Sequence, residues 1–175
     1  MTNVDEITIF DEIVNCGILE EDSVLNLGAG HENGKFLETL KDYNGKFEDG
    51  KILAVDINSS KIKMIEKKFK KESISLFETS LQDYLESEPK LVDWTILTGV
   101  FDNNLYGDLQ YDFVTSVVDV STKISNKGVV FTIQENISEE FRYSMIYFFT
   151  HFSNSYQRLT VKKFNDGNYV FCIFK

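Results

Sequence analysis

Short apolar runs alternate along most of the chain with longer segments in which apolar residues recur at helical spacing. The short runs predict buried strands at about 23–28, 51–56, 73–77, 91–97 and 129–133. The intervening segments predict helices at about 33–43, 60–72 and 107–125, with a single helical turn at 80–85. Regular alternation of strand and helix predicts a mainly parallel sheet with helices on both faces.

The two ends of the chain add further elements. Apolar residues at helical spacing predict an N-terminal helix over 4–17, which Gly17 would end. A late helix is predicted from the spacing of Phe141, Met145, Phe148 and Phe152. Two alternating runs, 156–164 and 168–174, flank an Asp-Gly pair and predict a terminal antiparallel hairpin, which brings the sheet to seven strands.

Composition favours one globular domain. The 175 residues, 42% of them apolar, are enough for a single core, and no boundary separates a substrate domain from the rest of 1–175. No apolar run approaches the roughly 18 residues of a membrane span, and the first ten residues are acidic where a secretory signal would be basic. Cys16 and Cys172 form no CxxC pair. These features predict a cytoplasmic protein with free thiols and no metal site.

The net charge of −10 disfavours a nucleic-acid partner, because such partners are held largely by cationic contacts to phosphate. The segment 61–71 is a local basic run that could still form a binding patch. Its lysines alternate with Ile62, Ile65 and Phe69 at helical spacing. That pattern favours the simpler interpretation, a solvated helix face opposite an apolar one.

The most informative segment lies between Val24 and Leu37. An apolar strand stops at Gly28-Ala29-Gly30 and a helical run follows, an arrangement that offers backbone N–H groups to a ligand. The alternative is an ordinary strand-to-helix turn. The dinucleotide pattern GxGxxG is incomplete here, because Asn33 holds the third position and the next glycine is Gly34.

An acidic residue at the end of the second predicted strand adds weight to a ligand site. Asp56 lies 28 residues after Gly28, and a carboxylate at that place can accept both hydroxyls of a ribose. Its alternative role is that of a strand-end or cap residue. The incomplete glycine pattern suits a nucleoside without phosphates better than NAD. A nicotinamide-dependent oxidoreductase is therefore the weaker hypothesis, and no tyrosine–lysine pair at helical spacing supports it.

Four segments follow the carboxyl ends of predicted strands, namely 28–34, 56–58, 78–81 and 98–104. Ligands of open parallel sheets bind at these ends, near the point where the strand order reverses. The sequence therefore predicts that the four segments converge in one cleft.

In order and spacing, LNLGAG, ILAVDIN, SLQDYL and DWTILTGVFDN resemble the class I S-adenosylmethionine-dependent methyltransferases. The last two predicted strands resemble the antiparallel pair that closes the seven-stranded sheet of that family. The resemblance runs from about residue 20 to the end. It implies a three-layer, Rossmann-like α/β fold with S-adenosylmethionine as the cofactor.

The resemblance also assigns cofactor-binding positions. These are Asn26, Gly28, Gly30, Asp56, Ile57, Ser80, Leu81 and Thr98. In the family pattern the two glycines face the methionine part of the cofactor, the acidic residue holds the ribose hydroxyls and the next residue packs on adenine. Ser80 and Leu81 would meet the adenine edge, and Thr98 would lie beside the transferable methyl group.

Three positions depart from the family pattern. Asn26 stands where the family usually has Asp or Glu, Glu32 occupies the usual position of the third glycine, and Ser80 replaces a frequent Asp. These departures motivate a second hypothesis, a non-catalytic module that keeps the fold and binds the cofactor or a partner.

Catalysis by such a protein is largely alignment, because the sulfonium is already an activated methyl donor. A base is needed only where the acceptor must lose a proton, and the candidates are Asp102 and His31. Asp102, Asn103, Asn104 and Tyr106 follow the fourth predicted strand, where the family places substrate-facing groups. The alternative interpretation of these four residues is an ordinary polar loop, and the alternative for His31 is an exposed loop position without a catalytic role.

The acceptor is not specified by any motif. The chain has no Asn/Asp-Pro-Pro-Tyr segment of the kind found in enzymes that methylate amino groups of nucleic acids. The absence of a sizeable insertion predicts an open acceptor site, or one completed by a partner chain. A small-molecule or protein acceptor and a possible homo-oligomer are therefore expected.

Overall fold

The computed structural model describes residues 8–103, 107–138 and 142–175. Its strands are β1 Val24–Leu27, β2 Ile52–Asp56, β3 Ile74–Glu78, β4 Val92–Leu97, β5 Ser125–Gln134, β6 Arg158–Lys163 and β7 Asn168–Phe174. Its helices are α1 Ile9–Asn15, α2 Lys35–Asn44, α3 Ser59–Lys68, α4 Leu81–Glu86, α5 Gln110–Lys123 and α6 Met145–Ser155. Short 3₁₀ turns cover His31–Asn33 and Gly107–Leu109.

The strands form one seven-stranded sheet in the order β3-β2-β1-β4-β5-β7-β6. The five strands β1 to β5 are mutually parallel, whereas β7 runs antiparallel to both β5 and β6. The seven-stranded, mainly parallel sheet with a terminal antiparallel hairpin, as predicted from the sequence, is thus confirmed. The chain places β2 and β3 on one side of β1 and β4 on the other, so the strand order reverses between β1 and β4.

Two apolar clusters lie on opposite faces of this sheet, because successive residues of a strand point to opposite sides. On one face α1, α2 and α3 cover alternate strand residues such as Ala54 and Ile96. On the other face α4, α5 and α6 cover residues such as Leu27 and Phe131. The order of three layers, helices, sheet and helices, follows from this division. No helix in the described part of the chain is long and apolar enough to cross a membrane.

Some predicted boundaries were wrong. The N-terminal helix begins at Ile9 after a capping box, in which the Thr8 hydroxyl accepts the Asp11 N–H and the Asp11 carboxylate accepts the Thr8 N–H. Residues 4–7 of the predicted helix lie outside the described residues. The predicted fifth strand was too short, since β5 already begins at Ser125, whose partner across the sheet is Val92.

The late helix also differs from its prediction. It begins at Met145 and ends at Ser155, with Phe148 and Phe152 fully buried. Phe141, which contributed to the predicted spacing, lies outside the described residues. The predicted helix after the fourth strand ends at Lys123 and not at 125, because the chain has turned into β5 by that point.

Candidate functional site

A cavity of about 510 Å³ opens at the carboxyl ends of the central strands. Residues from 28–32, 55–58, 79–82 and 98–103 line it, together with Lys61 and Phe113. The prediction that the segments following β1, β2, β3 and β4 converge in one cleft is therefore confirmed. The cavity lies over the reversal of strand order, where ligands of such sheets bind.

Asp56 joins the glycine loop to the start of α3. Its Oδ2 accepts the backbone N–H of Gly30 and its Oδ1 accepts the backbone N–H of Asn58, both at 2.8 Å. Asp56 therefore does have a structural role at the end of its strand, because it holds Asn58, whose side chain caps α3. Each carboxylate oxygen has a further lone pair, and the half-buried side chain lines the cavity. Asp56 is therefore both a structural clamp and an available acceptor.

Neighbouring chain segments leave no room for a side chain at either glycine of the loop. A Cβ atom on Gly30 would lie 2.5 Å from Lys61 Cβ and 2.8 Å from Asp56 Oδ2. Gly28 has φ +74°, and a Cβ atom there would lie 2.6 Å from the carbonyl oxygen of Thr98. Both glycines line the cavity. Their small size lets the loop approach the ends of β2 and β4 closely enough to form the wall.

The departure from the glycine pattern is visible in the backbone. Glu32, Asn33 and Gly34 have φ values of 43°, 59° and 76°, three successive residues in the left-handed region. Such a conformation costs roughly 1–2 kcal/mol for each residue other than glycine. The Asn33 side chain is held by Lys61, whose Nζ donates to Oδ1 at 2.8 Å. The helix predicted from Asn33 therefore begins two residues later, at Lys35.

Residues of the adenine side are arranged around an exposed apolar side chain. Ile57 follows Asp56 directly and is 73% exposed, although it is a large apolar residue. Leu81 and Ser80 line the same cavity. The Ser80 hydroxyl caps α4, because it accepts the Asp83 N–H at 3.1 Å and donates to Asp83 Oδ2 at 2.7 Å. The side chain of Ser80 therefore already has a structural role.

Asn26 is the one cofactor-binding candidate that the structure does not bring to the cavity. It is fully buried in β1 and does not line the wall. Its Nδ2 donates to the carbonyl oxygen of Ile96 and to Thr98 Oγ1, both at 3.4 Å, and its Oδ1 has no partner among the described residues. Thr98 does line the cavity, so Asn26 reaches the site only through Thr98. A direct contact between Asn26 and a cofactor stays a prediction.

A second, smaller cavity of about 180 Å³ lies beside the first. The two share His31, Glu32 and Thr98 as lining residues. His31 packs closely on the chain after β4, since a Cβ atom on Gly99 would lie 2.1 Å from Nδ1. Its side chain is 32% exposed, with Nε2 at 3.7 Å from Glu32 Oε1. His31 thus forms part of the wall between two cavities and is not a free loop side chain.

Asp102, the other candidate base, lines the smaller cavity. The backbone N–H of Gln134 on β5 lies near the Asp102 carboxylate and favours the charged form. Its Oδ1 is buried and has no partner in the described ranges. Burial raises the pKa of Asp102 above its ordinary value of 3.8, although the nearby His31 opposes that rise. The structure therefore brings Asp102 and His31 to one cavity.

Other candidates are only partly placed. Asn103 lines the larger cavity, whereas Asn104 and Tyr106 lie outside the described residues. No group of three or more His, Cys, Asp or Glu side chains in the described segments is arranged to hold a metal ion.

Sequence reasoning missed several lining residues. Gly99 and Val100 follow β4 directly, and their position in the predicted cleft segment was the available signal. Lys61 belonged to a basic run interpreted as a solvated face, yet it lines the larger cavity. Thr132 and Asn168 of the smaller cavity come from β5 and β7 and belong to no recognisable motif.

Comparison with known proteins shows which fold this architecture represents. No protein-family model and no curated protein sequence matches the chain. Solved structures do match it, and the fold is that of the class I S-adenosylmethionine-dependent methyltransferases. The three structures described next are 10–17% identical to this chain, so the likeness is one of fold.

Three of these structures cover nearly all of the chain. Magnesium protoporphyrin IX methyltransferase from Synechocystis PCC 6803, with bound S-adenosylmethionine, has a TM-score of 0.66 at 10% identity, covering 95% of this chain and 76% of that one. A methyltransferase from Aquifex aeolicus has a TM-score of 0.62 at 14% identity, covering 96% and 90%. The N-methyltransferase NodS from Bradyrhizobium japonicum, with S-adenosylhomocysteine, has a TM-score of 0.61 at 17% identity, covering 98% and 89%.

Proposed function

We propose that the chain is an S-adenosylmethionine-dependent methyltransferase whose cofactor occupies the larger cavity. The observation that carries the proposal is the pair Asp56 and Ile57 in the wall of that cavity, a carboxylate beside an exposed apolar side chain. An adenosyl group presents the same pair of chemistries, two ribose hydroxyls beside an apolar base. Solved structures of the same fold contain S-adenosylmethionine or S-adenosylhomocysteine, which supports the choice of cofactor.

The described residues fit such a cofactor in size and chemistry. The cavity volume of about 510 Å³ lies within the range of roughly 300–1,000 Å³ that is usual for small-molecule sites. Asp56 can accept hydroxyl donors on its remaining lone pairs while it keeps its bonds to Gly30 and Asn58. Covering the exposed Ile57 side chain with an adenine ring would remove apolar surface from water, which is favourable.

The remaining contacts are proposed residue by residue. Gly28 and Gly30 would lie against the methionine part of the cofactor, and Leu81 with the backbone of Ser80 would meet the adenine edge. Thr98 lines both cavities and would lie nearest to the group that is transferred.

The chemistry expected of the chain is positioning. The bound cofactor supplies an activated methyl group, and the protein has to hold an acceptor in line with that group. Positioning of this kind supplies up to ~7–11 kcal/mol of barrier lowering. Asp102 and His31 line the cavity beside the cofactor site and are the proposed bases for an acceptor that must lose a proton.

A non-catalytic cofactor-binding module is the second candidate. The observation that favours it is the replacement of an acidic side chain by Asn26, which does not reach the cavity. The left-handed run from Glu32 to Gly34 also alters the loop that would hold the methionine part. Neither feature affects Asp56 or Ile57, so both candidates predict cofactor binding and differ in whether a methyl group is transferred.

Thermal unfolding with S-adenosylhomocysteine, and separately with NAD, tests the proposal. A ligand at 100 times its dissociation constant adds ~2.7 kcal/mol to the free energy of unfolding, which corresponds to several degrees for a domain of this size. We expect such a shift with S-adenosylhomocysteine and none with NAD. The absence of a shift at millimolar S-adenosylhomocysteine would contradict both candidates. Transfer of a labelled methyl group into a cell lysate then separates the enzyme from the non-catalytic module.

A further inference from the structure

The smaller cavity has a composition unlike that of the larger one. It lies between the ends of β4 and β5, the start of β7 and the first turn of α1. Seven of its nine lining residues are polar or charged, and none of these nine described residues is Lys or Arg. Two of them, Glu32 and Asp102, are acidic. Two carboxylates with no Lys or Arg beside them in the lining favour a hydrogen-bond donor or a cation and disfavour an anion.

Asp102 lines this cavity and has a carboxylate oxygen that accepts no hydrogen bond from the described residues. The backbone N–H of Gln134 is a nearby group that favours its charged form. Oδ1 is buried without a partner in the described part of the chain. A buried carboxylate oxygen with no donor costs free energy, and such groups are rare in folded proteins unless a ligand or function uses them. The Asp102 carboxylate lines the cavity and thus has an acceptor position that no described group uses.

The size and position of the smaller cavity further limit the kind of ligand it can bind. The volume of about 180 Å³ is well below that of a typical drug-sized site, so it admits the end of a ligand and not a large ring system. Phe10 and Ile9 provide apolar lining at one side, which suits a short alkyl chain. The wall shared with the larger cavity, made by His31, Glu32 and Thr98, places the ligand beside the proposed cofactor site.

We propose that the smaller cavity is the acceptor subsite and that it takes a small alkylamine, whose nitrogen is held by Asp102 and Glu32. The inference rests on the proposed function, because it names the acceptor of that reaction. The amine donates to the Asp102 carboxylate, and its alkyl chain lies along Phe10. A carboxylate or phosphate of the same size is excluded, because it would face two acidic side chains.

The transfer balances with the groups that are present. The protonated amine, an alkylammonium ion, first transfers a proton to the Asp102 carboxylate. The lone pair that this frees on nitrogen then forms the new nitrogen–carbon bond, while the carbon–sulfur bond of the cofactor breaks and its electron pair stays on sulfur. The products are the methylated alkylammonium ion, S-adenosylhomocysteine and a protonated Asp102, which releases its proton to solvent. Burial raises the pKa of Asp102, which makes its carboxylate a better proton acceptor than an exposed one.

The test is equilibrium binding to the full chain in the presence of saturating S-adenosylhomocysteine. The probes are n-butylamine, 1-butanol and butanoate, which share a chain length and differ in the head group. Nα-acetyl-lysine amide is a fourth probe, which separates a free amine from the side-chain end of a peptide lysine. We expect the amines to bind at least tenfold more tightly than the alcohol, and butanoate not to bind.

Asp102→Asn is the variant that removes the charge while keeping the shape. We expect it to weaken amine binding at least tenfold and to leave S-adenosylhomocysteine binding unchanged. Asp42→Asn is the matched control, because Asp42 is exposed on α2 and lines neither cavity. We expect the control to bind both ligands like the unmodified chain. Methylation of the bound amine, followed by mass spectrometry, is the second readout.

Each outcome decides the inference. Tighter binding by either amine, lost in Asp102→Asn, supports it, and the stronger of the two amines identifies the source of the amino group. Equal binding of 1-butanol or butanoate overturns it, as does an Asp102→Asn variant that binds amines normally. If S-adenosylhomocysteine binds and no amine does, the acceptor class is wrong while the proposed function stands. If S-adenosylhomocysteine itself does not bind, the proposed function fails and the inference fails with it.

Discussion

The two neighbouring cavities share a wall and are assembled in different ways. The segments of the larger cavity directly follow the parallel strands β1 to β4, with further lining residues from the following helices. The smaller cavity combines residues from both ends of the described chain, from Phe10 near its start to Asn168 near its end. The first is therefore a local consequence of the strand–turn–helix pattern, whereas the second depends on how distant strands pair. Cofactor chemistry is thus more visible in the sequence than acceptor chemistry.

The largest effect is expected from filling the space between the loop and β4. In Gly28→Ala the new Cβ would lie 2.6 Å from the carbonyl oxygen of Thr98, a backbone atom that cannot move aside easily. Together with the positive φ, we expect a loss of ~2–4 kcal/mol in the free energy of unfolding. S-adenosylhomocysteine binding should be lost as well. Denaturant unfolding and calorimetric titration measure the two effects.

Gly50→Ala is the matched control for that variant. Gly50 also has a positive φ, of +71°, but a Cβ atom there meets nothing within 4 Å. We expect it to cost only ~1–2 kcal/mol, the price of the left-handed conformation, with normal ligand binding. Equal losses of stability in the two variants would show that the close approach of the loop to β4 is unimportant.

The next largest effect is expected from the carboxylate of the larger cavity. Asp56→Asn keeps the size of the side chain and removes its charge and one acceptor oxygen, so one of its bonds from the Gly30 and Asn58 N–H groups is also lost. A hydrogen bond to a charged group contributes ~1.5–3 kcal/mol, so S-adenosylhomocysteine affinity should fall roughly 10- to 100-fold. Amine binding in the smaller cavity should change much less. Calorimetric titration measures both affinities, and an unchanged affinity for S-adenosylhomocysteine would remove Asp56 from the proposed site.

Most of the fold could be predicted from the sequence pattern of strands and helices, because apolar periodicity shows directly which face of an element is buried. It failed where tertiary pairing overrides local preference. Ser125 and the two residues that follow look like a helix end followed by a turn, yet they belong to β5. Ser125 pairs with Val92, and an irregularity separates that pair from the next one, Trp94 with Gly128. The left-handed turn at Glu32 and Asn33 was equally invisible, because neither residue type requires a positive φ.

The two cavities also differ in how well the sequence predicted them. The motif around Gly28 and Gly30 and the strand-end position of Asp56 located the larger cavity. Nothing local to Asp102 indicated that its carboxylate would lie near the backbone of Gln134, because that proximity depends on β4 and β5 being neighbours. Likewise, the sequence placed Asn26 in β1 but could not show that the side chain would bond Thr98 and miss the cavity wall.

The pH dependence of stability should distinguish Asp102 from an ordinary paired carboxylate. Its pKa in the folded chain is raised by burial, so the folded state retains a proton that the unfolded state has released. As the pH rises from about 3.8 through that raised value, the unmodified chain loses stability. Asp102→Asn should remove this loss, so the variant should equal or exceed the unmodified chain in melting temperature at neutral pH. The difference should vanish below the ordinary pKa.

Asp93→Asn is expected to behave in the opposite way. Burial alone would raise the pKa of Asp93, but hydrogen bonds from the backbone N–H and hydroxyl of Ser23 outweigh it and lower the pKa. Its stabilising contribution is present at neutral pH and is lost as the pH falls through the lowered value. The variant should therefore be less stable than the unmodified chain at neutral pH. Melting curves between acid and neutral pH measure both variants, and a destabilised Asp102→Asn would show that its carboxylate is a structural partner.

The smallest effect is expected at the edge of the glycine loop. Lys61→Met keeps the aliphatic stem that packs against Gly30 and removes the Nζ that donates to Asn33. Because this contact is partly exposed, we expect a change of less than about 1 kcal/mol in the free energy of unfolding and a similarly small change in S-adenosylhomocysteine affinity. Denaturant unfolding and titration measure it. A large loss of affinity would mean that the lysine contacts the ligand directly.

A two-dimensional amide NMR titration with S-adenosylhomocysteine tests the location of the cofactor site most directly. We predict the largest shifts at the backbone amides of Gly28, Gly30, Asn58, Leu81 and Gly99, which lie in or beside the wall of the larger cavity. Amides in the loops before β2 and β4, at the opposite end of the parallel strands, should not move. Saturable shifts confined to the first group would support the adenosyl site. Shifts centred on those opposite loops, or none at millimolar ligand, would contradict it.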